Sequence, residues 1–388
     1  LLEQYRDQVY RCTRCGDCRD KFTDREPYVC PAREHTGGFE PYYARGRIQV
    51  ARGILEGRLR YTSRLGDTLF SCFLCGNCEK TCRGQIETLA ITRAMRTDLS
   101  KTGVKRPAGI EQIVSNVVRT HNLFGSTEED RAWDVAGPTS GDEELLYFPG
   151  CIVRYWLPEL ASHTTRIIQS AGLHWSTLGK EEWCCSTPLI ATGQNTMAEE
   201  VSRHNLGLLR KTGVKRIVTS CPGCYRTLKC DSPTWRESNV DVLHVTELLW
   251  DFVKKGAIEL IHPVPEKVTY HDPCELGRRS HIFDAPREIL SKIKGLDLRE
   301  MPRNREEALC CGGGGAVKAS NPSLARRVTL ERLDEASRLG VSKIVSCCPS
   351  CKMNFEEAIA FASLPLEALD LTELVAMAVG TDDRRKNT

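Results

Sequence analysis

Long apolar runs are missing from this 388-residue sequence. No stretch approaches the roughly 18 apolar residues that a membrane-spanning helix needs. The first residues, Leu1-Leu2-Glu3-Gln4-Tyr5-Arg6, carry no apolar signal-peptide core. Charge of one sign is scarce too: 54 Lys and Arg stand against 51 Asp and Glu, a formal net charge of +3. That balance gives no reason to expect nucleic acid or an anionic membrane as partner. The expected location is the cytoplasm, with any membrane attachment made through a partner. Nucleotide signatures are absent as well. Gly312-Gly313-Gly314-Gly315 lacks the Gly-Lys-Ser/Thr ending of a P-loop and the spacing of G-x-G-x-x-G. A loop that lets backbone approach a bound group is the better reading of those glycines. No flavin or nicotinamide motif occurs, so hydride chemistry has no place in this chain.

What the sequence has in excess is cysteine, 20 in all, within an ordinary composition of 40% hydrophobic and 27% charged residues. The length allows two or three domains, each with its own core. In a small secreted protein so many cysteines would indicate disulfides, but here they cluster in C-x-x-C and C-C units. Such clusters suit metal ligation in a reducing compartment better than long-range cross-linking.

Eight of the cysteines fall within residues 1–100. Cys12-x2-Cys15-x2-Cys18 and Cys72-x2-Cys75-x2-Cys78-x3-Cys82 place thiolates around a turning backbone that can wrap one [4Fe–4S] cubane. In two-cluster ferredoxins the fourth cysteine of each run ligates the other cluster. The expected sets are Cys12, Cys15, Cys18 and Cys82 for one cubane, and Cys72, Cys75, Cys78 and Cys30 for the other. Structural zinc prefers two C-x-x-C pairs making one four-cysteine site, and two triplets would leave thiols over. The first motif departs from the usual spacing, with eleven residues between Cys18 and Cys30, so a small loop, Arg19 to Val29, must be extruded. Nearby Arg45, Arg47 and Arg52 are expected to face solvent or to hold that loop over a cluster.

Residues 101–143 open with a helix (Ile110 to Val118) and then turn polar and turn-rich, which reads as a linker. Residues 144–380 are an internal repeat. Cys151 recurs as Cys274, 123 positions on; Cys184-Cys185 as Cys310-Cys311, 126 on; Cys221-Pro222-x-Cys224 as Cys348-Pro349-x-Cys351, 127 on. Gly213-Val214-Lys215-Arg216-Ile217-Val218 mirrors Gly340-Val341-Ser342-Lys343-Ile344-Val345, and Thr246-Glu247-Leu248 mirrors Thr372-Glu373-Leu374. In each half an apolar strand (Leu145 to Phe148; Val268 to Tyr270) runs into the first cysteine. A helix (around Ser202 to Lys211; Ala325 to Arg338) then leads to a β-branched strand ending at C-P-x-C. Strands alternating with helices predict a parallel sheet, and cysteines at the carboxyl ends of its strands sit where open α/β sheets bind ligands. Five thiolates per half exceed the four that a cubane uses. Cys230 and Cys347 break the repeat and read as non-ligating thiols. His271 and Asp272 suit either proton transfer or ordinary strand-end hydrogen bonding.

The two halves resemble the cysteine-rich CCG domain of heterodisulfide reductases. The phrases Tyr147-Phe148-Pro149-Gly150-Cys151, His271-Asp272-Pro273-Cys274 and Cys310-Cys311-Gly312-Gly313-Gly314-Gly315 carry the likeness. The first 100 residues are similar to the helical two-cluster ferredoxin domain that accompanies CCG domains. The order occurs in the fused catalytic subunit of membrane heterodisulfide reductase, in iron–sulfur subunits of glycolate and lactate oxidases, in DsrK-like subunits and in an electron-transfer subunit of class II benzoyl-CoA reductase. The resemblance implies an α plus α/β architecture, a helical ferredoxin domain followed by two pseudo-twofold-related α/β repeats. Its expected boundaries are 1–100 for the ferredoxin domain, 101–143 for helix and linker, 144–262 and 263–380 for the CCG domains, and 381–388 for a frayed tail.

The resemblance also implies one noncubane [4Fe–4S] cluster on Cys151, Cys184, Cys185, Cys221 and Cys224, and a second, catalytic one on Cys274, Cys310, Cys311, Cys348 and Cys351. It implies an oxidoreductase complex with a flavoprotein or ferredoxin partner, and in some relatives a membrane cytochrome subunit. The alternative is a pure electron relay between such partners. Two departures stand out: Ser186 replaces the glycine expected after the first cysteine pair, and Glu275 follows Cys274 where relatives often have His.

Overall fold

The computed structural model describes residues 1–20, 28–127 and 144–381. The centre of the Arg19–Val29 insertion, the turn-rich stretch 128–143 and the charged tail lie outside the described residues. Two compact units emerge. One gathers Leu1–Ser115, Pro188–Thr196 and Arg303–Arg332; the other gathers Asn116–Thr187, Met197–Pro302 and Leu333–Thr388. Among the described residues no helix is long and apolar enough to cross a membrane.

In the first unit, helices α1 (Ala44–Leu55) and α2 (Thr88–Ser100) pack around Ile48, Ala51, Leu69, Phe70, Ile91, Met95 and Leu99. Each helix buries the stripe expected of a 3.6-residue period. On α1 the stripe is Ala44, Arg47, Ile48 and Ala51, and on α2 it is Thr92, Met95, Arg96 and Leu99. An arginine therefore sits on each apolar face. Further helices, Ser63–Leu69 among them, and the turns that carry the cysteines belong to the same unit.

The second unit holds two four-stranded parallel sheets. Strands β1 (Leu145–Tyr147), β2 (Trp175–Ser176), β3 (Arg216–Thr219) and β4 (Asp241–His244) lie in the order β2-β1-β3-β4. Strands β5 (Lys267–His271), β6 (Asp297–Leu298), β7 (Lys343–Ser346) and β8 (Glu367–Asp370) lie in the order β6-β5-β7-β8. Their apolar runs are buried on both faces, as parallel strands covered by helices must be. Helices that alternate with these strands include α3 (Pro158–Ser170), α4 (Asn195–Thr212), α5 (Val245–Lys255), α6 (Asp284–Lys292), α7 (Pro322–Ser337), most of which belongs to the first unit, the helix Pro349–Ala362, and α8 (Leu371–Val379). Helix α7 starts earlier than periodicity alone indicated, because the Asn321 side chain caps the Leu324 N–H at 3.0 Å and Pro322 opens the first turn.

The two sheets share one core that runs from Leu145 and Ile167 to Tyr270, Leu374 and Val375. Helix α3 packs on α8, and α5 packs on α6, so each half lends a helix to the other. Both α5 and α8 begin with a capping box, on His244–Glu247 and Asp370–Glu373. These caps are repeat-equivalent, and His244, Asp370 and Glu373 are buried.

Candidate metal centres

The turns Cys12–Gly16 and Cys72–Gly76 have the same backbone signature. Arg14 and Leu74 adopt left-handed φ values of 63° and 52°, and Gly16 and Gly76 follow at 97° and 80°. Such alternation curls the chain and aims successive N–H groups inward, a concavity suited to an anionic sulfur cluster. The sulfurs follow the turns. Cys12, Cys15, Cys18 and Cys82 line one pocket, so the structure brings together the four residues grouped by spacing. Burial pushes the Cys18 thiol up to about 12, a cost that a bound cation removes. Arg45 donates to the Arg14 carbonyl at 3.1 Å and pairs with Glu40 at 2.5 and 2.9 Å. It holds the Cys12 turn.

The second group lies around Arg47. Its guanidinium hydrogen-bonds Cys30 and stands beside Cys72 and Cys78, while Cys30 is near Cys72 and Cys75. Val29 N–H donates to the Arg19 carbonyl at 2.8 Å, so the ends of the insertion meet and Cys30 returns to the cluster of thiols. Arg47 is only 3% exposed. Of the two roles expected of it, facing solvent is excluded, because its position on the apolar stripe of α1 turns it inward. The Cys78 sulfur also meets the Thr88 hydroxyl at 3.0 Å.

Arg96 was not legible as a site residue at all. It is fully buried and donates to the carbonyls of Leu69 (2.8 Å), Cys72 (2.8 Å), Ala191 (2.7 Å) and Gly315 (2.9 Å). The glycine run packs on the same turn. A Cβ added to Gly314 would stand 2.7 Å from the Phe73 carbonyl oxygen, and one added to Gly315 would stand 2.2 Å from that of Cys72. Further back in the run, Gly312 and Gly313 point their N–H groups at the sulfurs of Cys310 and Cys311, at 3.4 Å each. Cys310 in turn hydrogen-bonds Cys75. The glycines thus let backbone approach sulfur at one end and the Cys72 turn at the other.

In the second unit, Cys151 follows β1 and Cys221 follows β3. The carboxyl ends of these neighbouring strands form the crevice where the connections depart in opposite directions along the sheet. Cys221 is the N-cap of the helix that carries Cys224. All five sulfurs connect: Cys184 with Cys151, Cys185 with Cys184 and Cys224, and Cys224 with Cys221. Hydrogen bonds from Cys184, Cys224 and Thr187 hold the Cys185 thiol well below its ordinary value. Ser186 takes the left-handed φ of 71° that Gly312 has, at 82°, in the other half. The substitution preserves the turn at the cost of strain, with Ser202 hydroxyl 3.3 Å from that of Ser186.

The Cys184 segment is further fixed by partners that sequence did not reveal. Trp183 is sandwiched between the rings of His121 and His204, at 3.6 Å on each side. The Asn205 side chain bonds the Trp183 N–H and the carbonyls of Trp183 and Cys184.

The corresponding residues of the second half are distributed over both units. Cys274 follows β5, and Cys348 caps the helix Pro349–Ala362 that carries Cys351; these three lie in the second unit. Cys310 and Cys311 lie in the first, where Thr329 donates to the Cys311 carbonyl at 2.9 Å. Asp272 is held by a bidentate pair with Arg287 at 2.7 and 2.9 Å, the strand-end hydrogen-bonding role. Glu275 pairs with Arg279 at 2.6 Å. Of the two repeat-breaking cysteines, Cys347 accepts from the Tyr270 hydroxyl at 3.4 Å inside the core, and Cys230 is half-buried.

Comparison with known proteins follows the same division. Residues 145–229 and 268–356 match the CCG family, a cysteine-rich domain, and residues 8–86 match a 4Fe-4S dicluster domain. The chain is 34% identical over 391 residues to the D subunit of the dihydromethanophenazine:CoB–CoM heterodisulfide reductase of Methanosarcina barkeri, covering 95% of this chain and 93% of that protein. The chain belongs to the heterodisulfide reductase D-subunit family. As a member it is an iron–sulfur electron-transfer subunit of the heterodisulfide reductase-like oxidoreductases. It is also 27% identical to the B subunit of the fumarate reductase (CoM/CoB) of Methanothermobacter marburgensis, over 98% of this chain and 75% of that one. With the EtfAB:quinone oxidoreductase of Syntrophomonas wolfei it shares 28% identity, over 95% of this chain and 58% of that one.

Proposed function

We propose that this heterodisulfide reductase-like subunit moves electrons between two cubane clusters and two noncubane clusters, and that the latter act on a disulfide. Cys12, Cys15, Cys18 and Cys82 would hold one cubane, and Cys30, Cys72, Cys75 and Cys78 the other. Cys151, Cys184, Cys185, Cys221 and Cys224 would hold the first noncubane cluster. Cys274, Cys310, Cys311, Cys348 and Cys351 would hold the second, where the acceptor reacts. The observation that carries the reading is the continuous contact of five sulfurs at the carboxyl ends of β1 and β3, one more thiol than a cubane takes. When bound, the paired clusters would supply one-electron steps for cleavage or formation of the disulfide.

The reciprocal packing of α3 on α8 and of α5 on α6 supports a pseudo-twofold relation between the halves. Gly150 belongs to the proposed site because a Cβ there would come within 2.9 Å of the Cys224 sulfur. We assign the electron donor to a flavoprotein or ferredoxin, and any membrane attachment to a partner such as a cytochrome subunit. The likeness to an EtfAB:quinone oxidoreductase favours a second reading, a relay that passes electrons to a quinone-linked partner and has no disulfide substrate.

Two measurements test the proposal. Anaerobic iron and acid-labile sulfide analysis should give about 16 Fe per chain, four for each of four clusters; saturation near 8 would remove the noncubane pair. Thiol-dependent reduction of methyl viologen by the isolated subunit should be lost in Cys311→Ser, while dithionite still reduces both cubanes. A relay would show no thiol-dependent reduction even as wild type.

A further inference from the structure

The first unit contains two arginines that lack the usual partner. Arg47 is 3% exposed and Arg96 fully buried. Among the described residues neither guanidinium meets a carboxylate: Arg47 bonds the Ser71 hydroxyl and Cys30, and Arg96 bonds only backbone carbonyls. Burying a cation without an anion is among the costliest arrangements a fold can contain. The cysteines beside them are proposed cluster ligands, Cys30, Cys72 and Cys78 for Arg47 and Cys72 for Arg96. A guanidinium keeps its charge at neutral pH.

The Cys12 group is served differently. Arg45 is committed to Glu40 at 2.5 Å, and Arg83 to Asp17 at 2.8 Å. Arg14 and Cys15 are exposed. Charges there are paired or face water, where a dielectric near 80 weakens them about fourfold relative to the effective value of about 20 in a protein interior.

We infer that Arg47 and Arg96 make the site of Cys30, Cys72, Cys75 and Cys78 the more easily reduced of the two ferredoxin-type sites. The inference rests on the proposed cubane assignment. Gaining an electron adds one negative charge to a site that already faces two unpaired cations, and no bond is made or broken. Two terms oppose the arginines. Burial disfavours added charge, and Glu79 faces Cys78. Glu79 is half-buried and is also engaged with the Leu89 N–H at 2.7 Å. Two interior cations at contact range outweigh one partly solvated anion. Electrons delivered to this unit would then settle at the site whose Cys75 touches Cys310, one of the vicinal pair. The pair of arginines gives the wire a direction.

The test is an EPR-monitored potentiometric titration of the cluster-loaded protein, with dithionite as reductant and signals assigned through Cys82→Ser and Cys30→Ser. In wild type the ratio of reduced to oxidised cluster should be at least tenfold higher at the Cys72 site than at the Cys12 site at a common potential. For a one-electron couple that is about 59 mV. Arg47→Met should lower the ratio at the Cys72 site tenfold or more and leave the Cys12 site unmoved. Arg47→Lys, which keeps the charge, should restore most of it. Equal or inverted potentials in wild type would overturn the inference, as would a shift in Arg47→Met that is shared by both sites or reproduced by Arg47→Lys. If Arg47→Met fails to load iron, the wild-type ordering still decides. Absence of any cubane signal from the Cys72 site would instead overturn the ligand assignment itself.

Discussion

Replacing Gly315 by alanine isolates the close approach between the glycine run and the Cys72 turn. The new Cβ would lie 2.2 Å from the Cys72 carbonyl oxygen and 2.6 Å from the Phe73 carbonyl carbon. Both are backbone atoms, so relief requires moving the chain rather than turning a side chain. The left-handed φ of +61° adds about 1 kcal/mol for an L side chain, and overpacking a filled site costs about 1–3 kcal/mol more. The expected loss is therefore about 2–4 kcal/mol. Gly103→Ala is the control: its φ is +71° and nothing lies within 4 Å of the added carbon, so only the backbone share of about 1 kcal/mol applies. Urea unfolding of the iron-free chain, followed by far-ultraviolet circular dichroism, compares the two variants. Trp fluorescence supplies an internal reference, since none of the six tryptophans falls in the residue ranges of the first unit. Should Gly315→Ala prove no costlier than Gly103→Ala, the glycine run is not held against the Cys72 turn.

Crossed ligation predicts that Cys82→Ser alters the EPR signal of the Cys12 site and Cys30→Ser that of the Cys72 site; a Cys30→Ser protein with both signals intact would place the fourth ligand elsewhere. The buried caps predict an opposed pH dependence. His244 is pushed down to about 3 by burial, so its contribution is present above its unfolded value of about 6.5 and is lost as pH falls toward 3. Asp370 is raised to about 7 by burial, so its contribution is present below its unfolded value of about 3.9 and is lost as pH rises toward 7. Between about pH 4 and 6.5 the two slopes cancel. Asp370→Asn keeps the capping oxygen but removes one of them, and its stability relative to wild type should rise by about 1.4 kcal/mol per pH unit across that window. A flat difference, measured by denaturant midpoints at several pH values, would contradict the buried protonated carboxyl.

The repeat made the strands legible, because Ile217-Val218 and Ile344-Val345 carry the same β-branched pattern into C-P-x-C. The order β2-β1-β3-β4 was not, since parallel pairing joins residues such as Leu146 and Ile217 that have no local signal linking them. The cysteine groups were readable from spacing because each thiol triplet is local. Arg47 had a readable clue that charge obscured: it lies three residues after Ala44 and four before Ala51, on the apolar stripe of its helix. Arg96 shares that position between Met95 and Leu99. The contact of Gly315 with Cys72 joins positions far apart in the chain, and nothing within either segment announces it.

The first unit is assembled from three stretches of chain, and that limits what can be detached from it. A fragment ending at Ser115 would contain all eight ferredoxin-type cysteines, yet Arg96 would retain only the Leu69 and Cys72 carbonyls among its acceptors. The nine residues Pro188–Thr196 and the stretch Arg303–Arg332 belong to that unit as fully as α1 and α2 do. Exchange of this module between relatives, by recombination or by design, must therefore carry those two segments along, although they are encoded inside the repeats. The ferredoxin part and the Cys310–Cys311 pair are inherited as one piece.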